Sequence, residues 1–148
     1  MRQVWFAIAL SAGMISMTGC GPSNDCVPVS GKVYLDDKPV ANVMVTFQPR
    51  AISGVDAGGV GSYATTDAEG RYTLEAMTEK PRSGAFVGKH QVRIATPPPK
   101  GESESDAVNA GKKRFRDPIP AKYNVESSLF FEVPAGGSQQ ADFRLTSN

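Results

Sequence analysis

Val29-Ser30-Gly31-Lys32-Val33-Tyr34-Leu35, followed by Asp36-Asp37-Lys38-Pro39, is the stretch whose reading decides the fold class of this chain. Val29, Gly31, Val33 and Leu35 fall on one side of a two-residue period, and Ser30, Lys32 and Tyr34 on the other. A strand with one buried face requires that alternation, because successive side chains point to opposite faces. The acidic pair then predicts a tight turn, since Asp tolerates the left-handed backbone that such a turn demands.

The same period recurs outward from this stretch. Val43, Val45 and Phe47 alternate with Met44, Thr46 and Gln48. Residues 63–66 and 71–74 read as short strands on either side of Asp67-Ala68-Glu69-Gly70. His90, Val92 and Ile94 alternate with Gln91, Arg93 and Ala95; Leu129, Phe131 and Val133 with Phe130 and Glu132; and Ala141, Phe143 and Leu145 with Asp142 and Arg144. Seven short strands with one apolar face each must bury those faces against one another, which predicts an all-β, seven-stranded antiparallel β-sandwich. The expected core is Val33, Val45, Phe47, Tyr72, Val92, Ile94, Phe131, Phe143 and Leu145, with His90 at its edge. Three turns are expected to join neighbouring strands: Asp36 to Pro39, Asp67 to Gly70, and Pro134-Ala135-Gly136-Gly137. Eleven Pro and fifteen Gly punctuate the chain, and no window after residue 20 sustains a helical period.

The N-terminus follows a different logic. Arg2 precedes an uncharged apolar run over residues 4–17, too short to cross a hydrocarbon core of about 30 Å comfortably. Met17-Thr18-Gly19-Cys20 closes it, and this resembles a bacterial lipoprotein signal with its lipobox. The resemblance implies export, cleavage before Cys20 and acylation of its sulfur, anchoring the protein to a membrane of the bacterial cell envelope. Residues 1–19 are then a signal peptide, 20–27 a lipidated tether, and 28–148 one sandwich domain. The chain has a net charge of +1, and Arg2 is the only charged residue of the signal, so the body from Cys20 onward is neutral. A neutral body gives no electrostatic reason to expect nucleic acid as a partner. With Cys20 lipidated, Cys26 is left without an internal disulfide partner.

The body also resembles a family. Val29-Ser30-Gly31-Lys32-Val33, Asp36-Asp37-Lys38-Pro39-Val40 and Val45-Thr46-Phe47 look like the opening of a carboxypeptidase regulatory-like domain, and Thr65-Thr66-Asp67-Ala68-Glu69-Gly70-Arg71-Tyr72 like its central hairpin. Gly88-Lys89-His90-Gln91-Val92 and Ile119-Pro120-Ala121-Lys122-Tyr123-Asn124 are similar to a version found in lipoproteins of planctomycete-type bacteria. The resemblance implies a transthyretin-like, or prealbumin-like, sandwich and no peptidase activity. Asp37 stands where that family usually has Gly in the first hairpin. The transthyretin-like fold includes enzymes that hydrolyse 5-hydroxyisourate with several His and Arg residues and a C-terminal Tyr-Arg-Gly-Ser. This chain ends Arg144-Leu145-Thr146-Ser147-Asn148 and has one histidine.

Catalytic and metal chemistry find few residues to work with. Zinc needs about three or four His, Cys or carboxylate ligands, and a nucleophilic triad would have to use His90 as its base. Asp67 and Glu69, with Asp56 in a Gly-rich loop, fall short of the six to eight oxygens, roughly, of a calcium site, and read as a solvated turn. No catalytic residue, metal ligand or cofactor is therefore assigned, and the chain is not read as an enzyme. Residues 97–118 form a long, charged, Pro- and Gly-rich segment between two strands, and its composition predicts mobility over about residues 100–113, with Ile119 to Tyr123 anchored on the sandwich. Its basic end, Lys112, Lys113, Arg114, Phe115 and Arg116, is a candidate partner-docking loop. Two functions remain: a non-catalytic envelope lipoprotein used for interaction or scaffolding, or a carbohydrate- or polymer-binding module. The partner is an envelope protein or a polysaccharide. The body has no Trp, since Trp5 lies in the signal, so aromatic contacts to a sugar would fall to Tyr34, Tyr63, Tyr72, Tyr123 and Phe130.

Overall fold

A computed structural model describes residues 26–50, 60–97 and 116–147. These residues are all-β, with one 3₁₀ turn at Ala121–Tyr123. The strands in chain order are β1 (Cys26–Val27), β2 (Ser30–Leu35), β3 (Lys38–Pro39), β4 (Met44–Pro49), β5 (Ser62–Thr65), β6 (Arg71–Thr73), β7 (Glu75–Ala76), β8 (Arg82–Ser83), β9 (Ala85–Phe86), β10 (Gly88–Ala95), β11 (Leu129–Val133) and β12 (Phe143–Leu145). The larger sheet has the order β11-β10-β4-β5-β7-β8 and is antiparallel throughout. The smaller has the order β12-β2-β3, with β6 also paired to β2. Cys26 and Val27, at the end of the expected tether, pair with Phe86 and Ala85 as a small separate ladder.

Each stretch read as a strand from its period overlaps one, with Val29, Val43, Thr66, Leu74 and Ala141 falling just outside, and five two-residue strands (β1, β3, β7, β8 and β9) add to them. The pairing corrects the expectation of a purely antiparallel structure, because β12 runs parallel to β2 (Phe143↔Val33, Leu145↔Leu35). The cause lies in where two turns lead. The turn from Asp67 to Gly70 carries the chain from β5 in the larger sheet to β6 in the smaller, rather than closing a hairpin. Pro134 to Gly137 does the same between β11 and β12, and the chain enters beside β2 in the direction β2 itself runs. A third crossing occurs at Leu74: its N–H donates to Val29 O, and its carbonyl accepts from Gly84 N. So β6 and β7, nearly contiguous in sequence, belong to different sheets.

The first turn is a two-residue hairpin between paired Leu35 and Lys38. Asp36 and Asp37 have φ of 49° and 63°, the double positive φ of a type I′ turn. Asp37 thus adopts a left-handed backbone that glycine takes more readily. Asp36 Oδ1 accepts from Ser147 N at 3.0 Å and Asp37 Oδ1 from Arg144 Nη1 at 3.1 Å, which supports that backbone from outside.

The core lies between the inward faces of the two sheets, an arrangement consistent with a β-sandwich. Val45, Phe47, Val92, Ile94 and Val133 come from the larger sheet, and Val33, Tyr72, Phe143 and Leu145 from the smaller, all buried in one cluster. Phe47 ties the layers together: its ring centroid is 5.7 Å from that of Phe131 and 6.1 Å from that of Phe143, both edge-on. Phe131 is only partly buried against the cluster. His90, expected at the rim, is 1% exposed.

Candidate functional site

Alternation along β2 and β6 sends Ser30, Lys32, Tyr34, Arg71 and Thr73 to the outer face of the smaller sheet. The far wall comes from residues 138–142, which run beside β2 before β12 begins. Between the Val29↔Ser138 bridge and the Val33↔Phe143 pair this segment uses one residue more than β2, a bulge. The approach is close enough that a Cβ at Gly31 would come within 2.1 Å of Ala141 O, so only glycine fits there. Gln139 and Asp142 are turned onto the same outer face, and with Thr65 and Asp67 they complete an open groove of about 560 Å³.

The groove is polar and firmly built. Asp67 Oδ1 accepts from Glu69 N (3.0 Å) and Arg71 N (2.8 Å), and Oδ2 accepts from Arg71 Nε at 2.9 Å. The Arg71 backbone N–H is the main reason that the Asp67 carboxyl is held below its ordinary pKa. Arg71 Nη2 also pairs with Glu69 at 2.7 Å. Asp142 Oδ1 accepts from Lys32 N at 2.8 Å. In the floor, the Tyr72 hydroxyl donates to Ala141 O at 2.5 Å, and burial pushes its pKa up. At one end, the Arg144 guanidinium lies 4.7 Å from the Tyr34 ring centroid. Two cations, Lys32 and Arg71, face two anions, Asp67 and Asp142, so the lining carries no net charge.

The residues expected from sequence to matter are scattered relative to this groove. Cys20 and Asp56 lie outside the described residues, as do Lys112, Lys113, Arg114 and Phe115 of the docking loop; Arg116 is described and exposed. Of the aromatic candidates, Tyr34 and Tyr72 line the groove. Tyr63 and Phe130 point away from it on the outer face of the larger sheet, 40% and 51% exposed, with Lys89 Nζ 4.7 Å from the Phe130 centroid. Tyr123 is half-buried, its hydroxyl 3.1 Å from Thr146 Oγ1. Asp67 and Glu69 spend their carboxylates on Arg71. Among the described residues no group of three or more His, Cys, Asp or Glu is placed to hold a metal ion, and no helix is long and apolar enough to cross a membrane. Cys26 is half-buried, with Sγ 3.6 Å from Ser83 O.

His90 is a core residue. Its Nδ1 donates to Gly88 O at 3.0 Å, which leaves a lone pair on Nε2, and that atom is buried without a partner among the described residues. Burial is the first cause of its lowered pKa, with Gly88 O and Glu132 opposing. Ser62 Oγ is also buried and unpartnered, but Ser62 is on β5 and His90 on β10, with β4 and the Phe47 ring between them. Two strand spacings, about 9.6 Å, separate the two strands, and Ser62 lies in register with Val92 rather than with His90, so the two form no nucleophile–base pair.

Sequence reasoning missed Asp117. Its carboxylate accepts from Thr96 N (3.1 and 3.2 Å), Ile119 N (2.9 Å) and Asn124 Nδ2 (3.0 Å). Together with Tyr123 and Lys122, which reach Thr146 beyond β12, it makes residues 117–124 a clasp across the edge of the core. The signal available was the neighbouring run Ile119 to Asn124, two of whose residues donate to this carboxylate. No protein-family model, curated protein or solved structure matches the chain.

Proposed function

We propose that this protein is a non-catalytic lipoprotein of the bacterial cell envelope, whose seven principal strands form a transthyretin-like sandwich of the carboxypeptidase regulatory-like kind, used for interaction or scaffolding. The observation that carries the non-catalytic part is the state of His90. The only histidine of the chain is 1% exposed, bonded to Gly88 O and packed against Phe47, so its imidazole serves the core. Support for the anchor comes from the run Met17 to Cys20 and the apolar segment before it. Acyl chains on Cys20 tether the sandwich, since two or more chains hold far better than one. Intact mass of the membrane fraction tests this: acyl groups on Cys20 are expected, and Cys20→Ser should release the protein. A mature chain that starts elsewhere and is found in soluble form would overturn it.

The groove favours a second reading, a carbohydrate- or polymer-binding module of the envelope. Its lining of hydroxyl, amide and paired charges suits a hydroxyl-rich ligand. A glycan array probed with the protein separates this reading from pure scaffolding.

A further inference from the structure

We infer that the groove between β6 and residues 138–142 is a binding site for a neutral saccharide chain; this rests on the second reading above and gives it a location and a ligand class. The first support is size and shape. About 560 Å³ falls within the range of roughly 300–1,000 Å³ typical of ligand pockets, and the groove is open to solvent rather than enclosed.

The second support is unspent hydrogen-bonding capacity. Ser30, Thr65, Thr73, Gln139 and Lys32 all line the groove, and their side chains end in hydroxyl, amide and ammonium groups. None of these five side chains has a hydrogen-bond partner among the described residues. Hydroxyl and amide groups both donate and accept, and so do the hydroxyls of a sugar.

The third support is charge. Lys32 and Arg71 against Asp67 and Asp142 leave no field to draw in a polyanion or a polycation. An acidic polysaccharide gains nothing over a neutral one, and it meets Asp67 and Asp142 on the walls.

The fourth support is pre-organisation. Asp67, Glu69 and Arg71 hold one another, Lys32 N fixes Asp142, and Tyr72 bonds Ala141 under the floor. A ligand therefore orders little on binding, which matters for a shallow site. Tyr34 gives one end an apolar wall for the C–H faces of a sugar ring, held by Arg144.

The test is calorimetric titration of the full chain in detergent micelles with cellohexaose, mannohexaose and chitohexaose, and with an anionic hexagalacturonate as control. At least one neutral hexasaccharide should bind, and the anionic one should bind no better. Thr73→Tyr, which fills the groove from an exposed strand position, should weaken binding about tenfold or more, and so should Gln139→Ala combined with Lys32→Ala, a loss of a few hydrogen bonds. An unchanged thermal midpoint in either variant shows that the fold is intact. Tyr63→Ala and Phe130→Ala, on the opposite sheet, should leave affinity unchanged. If a neutral sugar binds but only the Tyr63 and Phe130 changes weaken it, the groove assignment falls while the module reading stands. If the anionic sugar alone binds, the inferred ligand class is wrong. If none of the four binds, both the inference and the module reading fall.

Discussion

Strand β10 meets the edge of the core differently at its two ends. Beyond Ala95, the Thr96 backbone N–H is caught by both oxygens of Asp117, and that carboxylate also accepts from Ile119 N and Asn124 Nδ2. Near Gly88, the His90 ring is taken fully inside, spends Nδ1 on a carbonyl two residues away and leaves Nε2 unpaired among the described residues. One end is held by a hydrogen-bonded carboxylate linking three segments. The other is held by ring packing, with Phe47 centred 5.7 Å from His90. Polar closure resists a change of shape but fails when its anion is removed. Apolar closure tolerates one unpaired lone pair but depends on the imidazole staying neutral.

The largest expected effect breaks the packed end. Phe47 is fully buried and touches the His90, Phe131 and Phe143 rings. Phe47→Ala should cost about 3–5 kcal/mol in denaturant unfolding. Phe131→Ala should cost less, because Phe131 is only partly buried. A Phe47→Ala loss under about 1 kcal/mol would mean that the sheets are not joined through this ring.

The bonded end comes next. Asp117→Ala strands the Thr96 and Ile119 N–H groups together and should cost about 1.5–3 kcal/mol. Asp117→Asn, which keeps an acceptor, should recover part of it. Equal losses in the two variants would assign the effect to the charge rather than to the hydrogen bonds.

How much of this contrast was legible in the sequence follows from the range of each cause. Alternation is local, so the strands around Val33, Phe47, Val92 and Phe143 could be read directly, and so could the turn at Asp36 and Asp37. The two-residue strands carry too few residues to show a period. The parallel course of β12 depends on the turn at Pro134 to Gly137 crossing between sheets, and turn residues do not specify which sheet follows. Asp117 reads as a loop acid before a proline, because its partners lie at Thr96 and Asn124. The groove was illegible for the same reason: Lys32 and Thr73 read as solvent-facing positions until Gln139 and Asp142, more than sixty residues on, are set beside them.

A smaller effect is expected from acid at the packed end. The folded His90 pKa lies below its unfolded value of about 6.5, so the unfolded chain takes up the proton first. His90's contribution is therefore fully present above pH 6.5 or so and is lost as pH falls below it, until the folded ring also protonates. Unfolding free energies at pH 7 and pH 5 should differ more for the wild-type chain than for His90→Leu. Identical pH slopes would show that the ring is not neutral and buried as described.

The smallest effect belongs to the outer strap of the bonded end. The Tyr123 hydroxyl sits 3.1 Å from Thr146 Oγ1 and accepts from Thr146 N at 3.2 Å, so it joins the 3₁₀ turn to the residue after β12. Those bonds, the side-chain one first, also lower the Tyr123 pKa from its ordinary value. Tyr123→Phe keeps the ring against the core and removes only the hydroxyl, so about 0.5–1 kcal/mol should be lost. The loss should shrink when Asp117 is already replaced, because both residues hold one clasp and coupled sites are not additive. A double-mutant cycle of Asp117→Ala and Tyr123→Phe measures that coupling. Strict additivity would mean that Asp117 fixes Thr96 on its own account, and that the turn from Ala121 to Tyr123 is fastened separately to β12.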